Sequence, residues 1–303
     1  MLMVSKHSSA RKLNSFSLVD IMLVCMSFIW GLNFVVIKTA LNYFTPLSFN
    51  ALRFSIASFL LLIFLKFREK NFWIRKNDLK NFLLLALIGN TIYQILFING
   101  IFLTTAGNSS IILATTPIIV ALLSSILGIE KIEYRTWQGV FISFAGVALI
   151  TLGSNRPITL TTKSLIGDLL IIACTICWST YTVLSKPLLK YYSPLKLVSL
   201  TVAIGTLPLV VASTPSLITQ NWSYIPAEAW LSLIYSAILA VALGYAIWYT
   251  GVNHIGSAKT AIYEYLITVI AITAAWILLN ETLNPIQITG AALVFAGLFR
   301  SRK

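Results

Sequence analysis

NFLLLALIGNTIYQILFINGIFLTTAGNSSIILATTPIIVALLSSILGI, residues 81 to 129, contains no Asp, Glu, Lys or Arg. A membrane-spanning helix needs about 20 apolar residues at roughly 1.5 Å rise each. This 49-residue run is too long for one such helix and must fold back on itself. Residues 229 to 258 form a second uncharged run. Strands of a membrane barrel would alternate in polarity over about ten residues. Residues 82 to 88 and 118 to 123 are instead apolar at nearly every position, which points to helices.

Composition extends this reading to the whole chain. Of 303 residues, 58% are hydrophobic and 10% charged, against roughly 25% charged in a soluble domain. The net charge of +13 lies in short segments between apolar runs rather than along one face. That pattern describes topology, and nucleic acid is not an expected partner. Cys25, Cys174 and Cys177 each fall inside an apolar run. The last two have redox-motif spacing, but a thiolate in hydrocarbon is costly and no further ligand is near in sequence. They are read as packing residues, with no metal or other cofactor expected.

Cutting the apolar runs at charged or Pro/Asn-rich breaks predicts ten spans. They lie near residues 19–38, 47–66, 80–99, 107–128, 136–153, 167–186, 195–213, 229–250, 258–279 and 284–300. Lys6, Arg11, Lys12, Lys66, Arg68, Lys70, Arg75, Lys76, Lys80, Lys131, Arg135, Lys186, Lys190, Lys196, Arg300, Arg302 and Lys303 all fall on one side of that arrangement. The other side has little beyond Lys38, Arg156 and Lys163. The positive-inside rule then makes both termini cytoplasmic, in a multi-pass protein of the cytoplasmic membrane. Asn42, Tyr43 and Phe44 follow the first span where a cleavage site would need small residues, so that span reads as an uncleaved anchor.

An internal repeat organises the chain. Asp20, Trp30, Lys38, Tyr43 and Pro46 recur as Asp168, Trp178, Lys186, Tyr191 and Pro194, each 148 positions later. Further on the offset is 151, pairing Glu130 with Glu281, Gly139 with Gly290, and Phe144-Ala145-Gly146 with Phe295-Ala296-Gly297. The division is a cytoplasmic segment 1–18, a first repeat 19–153, an external linker 154–166, a second repeat 167–300 and a C-terminus 301–303. With five spans each, the two repeats enter the membrane from opposite faces. Inverted repeats are an architecture of secondary transporters, in which two bundles rock about a midplane site.

At these residues the sequence resembles the EamA branch of the drug/metabolite transporter superfamily. The resemblance rests on Trp30-Gly31-Leu32-Asn33-Phe34-Val35-Val36-Ile37-Lys38, Pro46 and Ala51-Leu52-Arg53-Phe54. It continues through Gly167-Asp168-Leu169-Leu170, Cys177-Trp178-Ser179 and Tyr181-Thr182-Val183. Thr116-Pro117 with Glu130, and the run Ala275 to Glu281, complete it. The resemblance spans roughly residues 18 to 300. It implies an all-α fold of ten transmembrane helices in two inverted five-helix repeats, and movement of small metabolites such as amino acids. Many members carry Glu-Pro in the ninth span, but Ile267 and Thr268 stand there in this chain. Its acid is Glu264, one turn earlier.

An ionisable side chain inside a bilayer costs about 2.5 to 3.5 kcal/mol on insertion scales and so draws functional attention. Glu264, about seven residues into the ninth span, is the deepest acid. It could bind a substrate amine or exchange a proton, or pair with Lys259 or with the Tyr245 or Tyr249 hydroxyl. Arg53 sits about six residues into the second span, near enough to the outer side to snorkel. A structural or gating role is favoured for it over contact with a substrate carboxylate. Lys38 and Lys186 read as interfacial anchors. Glu130 and Glu281, at matching span ends, are expected to cap the first amides of the span that follows. Trp30, Asn33, Tyr93, Asn108, Trp178, Tyr181 and Tyr245 are further candidates for an aromatic and amide pocket, with Asn90, Gln94 and Trp248 behind them. Trp30 and Trp178 are expected to face each other across a central cavity.

The resulting expectation is secondary-active export of an amino acid or related solute by alternating access, with proton coupling through Glu264. A small solute and the bilayer are the expected partners, and a homodimer stays open. A membrane enzyme handling lipid or isoprenoid would gather acids or histidines near an interface, yet the histidines are only His7 and His254. A channel would show a filter or ring of charge. No G-x-x-x-x-G-K-[ST] loop is present for ATP-driven pumping.

Overall fold

The computed structural model describes residues 17–70, 72–104, 106–153, 162–279 and 284–302. Glu281 and most of the expected 154–166 linker lie outside them. The described residues form helices and turns, with no strand. The helices are α1 (Leu18–Ala40), α2 (Pro46–Arg68), α3 (Lys76–Leu103), α4 (Ala106–Leu113), α5 (Thr116–Ile126) and α6 (Tyr134–Leu152). They continue as α7 (Thr162–Leu188), α8 (Pro194–Thr219), α9 (Ala227–Ile255), α10 (Ser257–Ala261), α11 (Glu264–Leu279) and α12 (Pro285–Arg302). Helix α7 begins inside the stretch expected as linker.

Local chemistry explains the starts that the repeat marks. Ser17 caps α1 in a capping box with Asp20, each satisfying the other's free amide. Pro46 and Pro194 open α2 and α8, where a missing amide hydrogen costs nothing because that group has no helical partner. Ser193 also caps α8 by accepting from the Lys196 amide at 3.0 Å.

Among the described residues, seven helices are long and apolar enough to cross a membrane: α1, α2, α3, α6, α7, α8 and α9. The three other expected spans fall short for visible reasons. The fourth is split into α4 and α5 at Ala114–Thr115, and the ninth into α10 and α11 at Ile262–Tyr263. Helix α12 carries Arg300 and Arg302 in its last turn. Irregular backbone within a bilayer is tolerated only where neighbours satisfy it. Ser27 on α1 does so at the second break, donating to the Tyr263 carbonyl at 3.0 Å. Large apolar side chains such as Phe28, Val35, Phe59, Phe64, Phe102, Leu207 and Val211 are exposed on the outside of the bundle. This is the surface of a multi-pass membrane protein.

Two further features recur with the repeat. Helix α3 widens to a π-helix at Leu87–Ile92 and α9 does so at Ser236–Leu243, a stretch that contains the 151-offset image of the first. Helices α6 and α12 cross at glycines, and each helix presents its glycines to carbonyls of the other. Elsewhere the two halves interlock: α1 lies against α9 and α11, α2 against α8 and the π segment of α9, and α7 against α3. The first helices of each half thus face the third helix of the other half, bringing Trp30, Arg53, Tyr93 and Trp178 toward one interior region.

Candidate functional site

Five rings form its centre. Trp30 of α1 and Trp178 of α7, the repeat mates, meet edge to face with centroids 5.9 Å apart. Trp248 lies 5.5 Å from the first and 5.6 Å from the second. Tyr245 and Tyr93 each sit 5.2 Å from Trp178. The expected separation of the two tryptophans across a cavity is therefore replaced by direct contact. The reason is the close approach of α1 to α9: the Trp30 indole donates to the Ala240 carbonyl at 2.9 Å and covers Gly244, where any Cβ would strike it. That carbonyl belongs to the π segment of α9. Tyr181 occupies the far edge, buried against Gly89 and sharing a 2.6 Å hydrogen bond with Thr201.

Glu264 opens α11 beside these rings. Its carboxylate accepts from the Trp178 indole nitrogen at 2.8 Å and also from Thr116, at the start of α5. The expected pairing with Lys259 is not formed. Five residues apart, the two side chains would diverge by about 140° even on an unbroken α-helix, and the break at Ile262–Tyr263 interrupts the helix between them. Lys259 instead lies 3.5 Å from Glu133 at the surface, away from the rings. No hydrogen bond from Tyr245 or Tyr249 reaches the carboxylate among the described residues; Tyr245 accepts from Gln94 instead. Trp30, Asn33, Tyr93 and Glu264 are all half-buried within this otherwise closed interior. Asn33 also keeps a buried Oδ1 without a hydrogen-bond partner among the described residues.

Arg53 marks the other polar edge of the rings. It does not snorkel: only 3% of it is exposed, with its charge over the Phe49 and Phe54 rings at 5.6 and 5.3 Å. One terminal nitrogen donates to Gln94 at 2.8 Å and the other to Ser236 at 3.2 Å. Gln94 passes the contact on, donating from its own amide nitrogen to the Tyr245 hydroxyl at 2.8 Å. Sequence reading underrated Gln94 because a glutamine in a span equally suits helix joining.

Asn108 is not part of this site. It donates to Asp168 at 2.8 Å, as does Thr104 at 2.5 Å, tying α4 to the start of α7. Asp20, the mate of Asp168, does the corresponding work at the start of α1: it accepts from Tyr263 and from Arg302, the latter at 2.8 Å. Both aspartates were legible as a repeated pair, yet their role as ties between the halves was not.

Glu130 does cap a helix, but not the expected one. Its two oxygens share the Ser257 amide at 3.1 and 2.9 Å, so it serves α10 in the other half rather than α6. Gly256, with φ of +92°, makes the corner, and a side chain there would strike Glu130. Lys186, expected as an interfacial anchor, completes the corner. It donates to the Val252 and Asn253 carbonyls at 2.5 and 3.0 Å and lies 3.7 Å from Glu130. A cation on the last carbonyls and an anion on the first amide both complement helix-end charge. Glu130→Ala should therefore lower stability in detergent by about 0.5–2 kcal/mol, read as a drop in melting temperature. Lys186→Met in that background should cost less than alone, because the pair is already broken.

The family model of the EamA-like transporter family matches residues 17–152 and 165–301. An uncharacterized transporter of Bacillus subtilis, YyaM, is 32% identical over 282 residues, 92% of this chain and 91% of that one. A Salmonella typhimurium protein named a probable amino-acid metabolite efflux pump is 28% identical, covering 89% and 90%. A crystal structure with 15% identity superposes with a TM-score of 0.79 over 95% of this chain and 99% of its own. With both halves matched by one family model, and the interlocked bundle shared with a solved fold, the chain belongs to the EamA-like transporter family and is a membrane transporter rather than an enzyme.

Proposed function

We propose that this protein exports an amino acid or a closely related small solute across the cytoplasmic membrane by secondary-active, alternating access. In this reading α4–α5 and α10–α11 are broken fourth and ninth spans, α12 is the tenth, and both termini are cytoplasmic. The observation that carries it is Glu264: a half-buried carboxylate deep in the bundle, against a wall of aromatic rings, whose polar partners are Trp178 and Thr116 rather than a cation. Such a group can hold a solute's ammonium or take up a proton at the same place. Rings on the other side suit the apolar part of a small amphipathic solute. The relative named as a probable amino-acid metabolite efflux pump supports both the solute class and the direction.

The test is counterflow in proteoliposomes loaded with unlabelled amino acids. Labelled solute should accumulate transiently inside, and the initial rate should saturate with concentration. Flux that rises linearly without saturation would replace the carrier by a channel. Absence of flux for every amino acid and derivative tried would overturn the solute class.

A further inference from the structure

Arg53 brings a positive charge into the bundle with no matching negative charge. Buried charges are ordinarily paired, because the effective cost of removing an ion from water is several kcal/mol even after relaxation. No carboxylate lies within ion-pair distance of Arg53 among the described residues. Its hydrogen-bond partners are neutral, a glutamine oxygen and a serine hydroxyl. Its Nε has no partner at all among the described residues. A guanidinium has five N–H donors in a fixed fork that fits a carboxylate through two parallel bonds.

Gln94 holds that fork in place. Its oxygen accepts from Arg53 while its nitrogen donates to Tyr245, so the amide orientation is fixed from both ends. Tyr245 is one of the rings around Trp178, which binds Glu264. Tyr93 is near enough to interact electrostatically with both Arg53 and Glu264. The ring cluster therefore has a cationic edge and an anionic edge.

We propose that Arg53 is the specificity residue for the solute's carboxylate, with Gln94 as its positioning residue, so that the transported solute must carry a carboxylate as well as an amine. This rests on the reading of the site as an amino-acid carrier and adds a requirement to it. The missing counter-charge is then supplied by the solute itself, which explains why the bundle can leave a buried guanidinium on neutral partners.

The experiment compares L-leucine, L-phenylalanine and L-threonine with their decarboxylated amines and their methyl esters. Each is tested as an inhibitor of counterflow and as a ligand that raises the melting temperature in detergent. In the unaltered protein the acids should act at least tenfold more strongly than the matched amines and esters. Arg53→Gln should remove that preference, and Arg53→Lys should restore part of it. Gln94→Leu should weaken the preference while leaving some response to the acids. The comparison in the unaltered protein stands even if the variants fail to fold. Equal response to acid and amine overturns the Arg53 role while leaving an amine carrier standing. No response to any compound overturns the amino-acid reading and the Arg53 role together.

Discussion

Glu264→Gln should uncouple transport from the proton gradient. Net flux driven by a pH difference is expected to fall at least tenfold, and by a larger factor than solute-for-solute exchange at fixed pH, which weakens only through the lost contact with the solute's ammonium. The amide resembles a protonated carboxyl in size and keeps an oxygen for the Trp178 indole, which donates at 2.8 Å to the native side chain. A carrier held permanently in that form can still reorient loaded with solute, but it has no proton to bind on one side and release on the other. Glu264 also has titratable neighbours: Tyr93 on α3, Cys174 on α7 and Tyr265 on α11 all interact with it electrostatically. Phenols and thiols ordinarily ionise above neutrality, so the carboxyl is the group among them that can carry a negative charge and neutralise it by taking up a proton. If Glu264 serves only to hold a solute ammonium, exchange and net flux should fall together and the pH profile should keep its shape. Unchanged pH dependence with unchanged exchange would remove Glu264 from the mechanism. Trp178→Phe keeps a ring but removes the N–H and should alter the pH profile more than the apparent affinity.

The two halves and their helical class were legible because periodic features survive as short-range sequence: uncharged runs, paired prolines and a tryptophan repeated at a fixed offset. Each of these is local or self-similar. What was not legible depends on contacts between distant positions. The Lys259–Glu264 pairing does not form because a five-residue spacing turns two side chains about 140° apart on a helix, and because the helix breaks at Ile262–Tyr263, where no proline or glycine warns of it. The matching break before Thr116-Pro117 had a signal, since proline lacks an amide hydrogen and favours a helix start. Glu130 was correctly seen as able to accept amides, but which helix it serves depends on how the halves interlock. Arg53 looked able to snorkel because its distance from the span end was short. Burial between Phe49, Phe54 and Gln94 is a tertiary fact that span position does not contain. Carrying the 148 offset on from Arg53 lands on Thr201, and the 151 offset takes Glu264 back to Leu113. Both charges at the ring cluster therefore break the repeat that the scaffold obeys.

The scaffold's obedience can be measured at the crossing of α6 and α12. A Cβ on Gly146 would stand 2.5 Å from the Gly290 carbonyl oxygen, and a Cβ on Gly290 would stand 2.5 Å from that of Gly146. Gly139 and Gly297 oppose each other in the same way, at 2.5 and 2.6 Å. Since Gly139 is the repeat mate of Gly290, and Gly146 of Gly297, the crossing sits on the pseudo-two-fold axis that relates the halves. The obstructing atoms are backbone, so no rotamer change can relieve the clash and the helices must separate. Gly146→Leu or Gly290→Leu should thus be among the most damaging single changes, cutting folded yield and costing roughly 1–3 kcal/mol or more from overpacking. Alanine at either position should lower the melting temperature in detergent by less. Joining Gly146→Ala to Gly290→Ala should cost less than the two effects added, because the first has already opened the gap the second requires. Joining Gly290→Ala to Gly139→Ala loads both ends of the crossing and should come closer to additive. Mates should also cost alike, Gly139→Ala as much as Gly290→Ala, because each meets the same kind of backbone atom at the same distance. Neutral effects at all four glycines would mean that the helices do not meet this closely in the membrane, and the pseudo-two-fold axis would lose its packing basis.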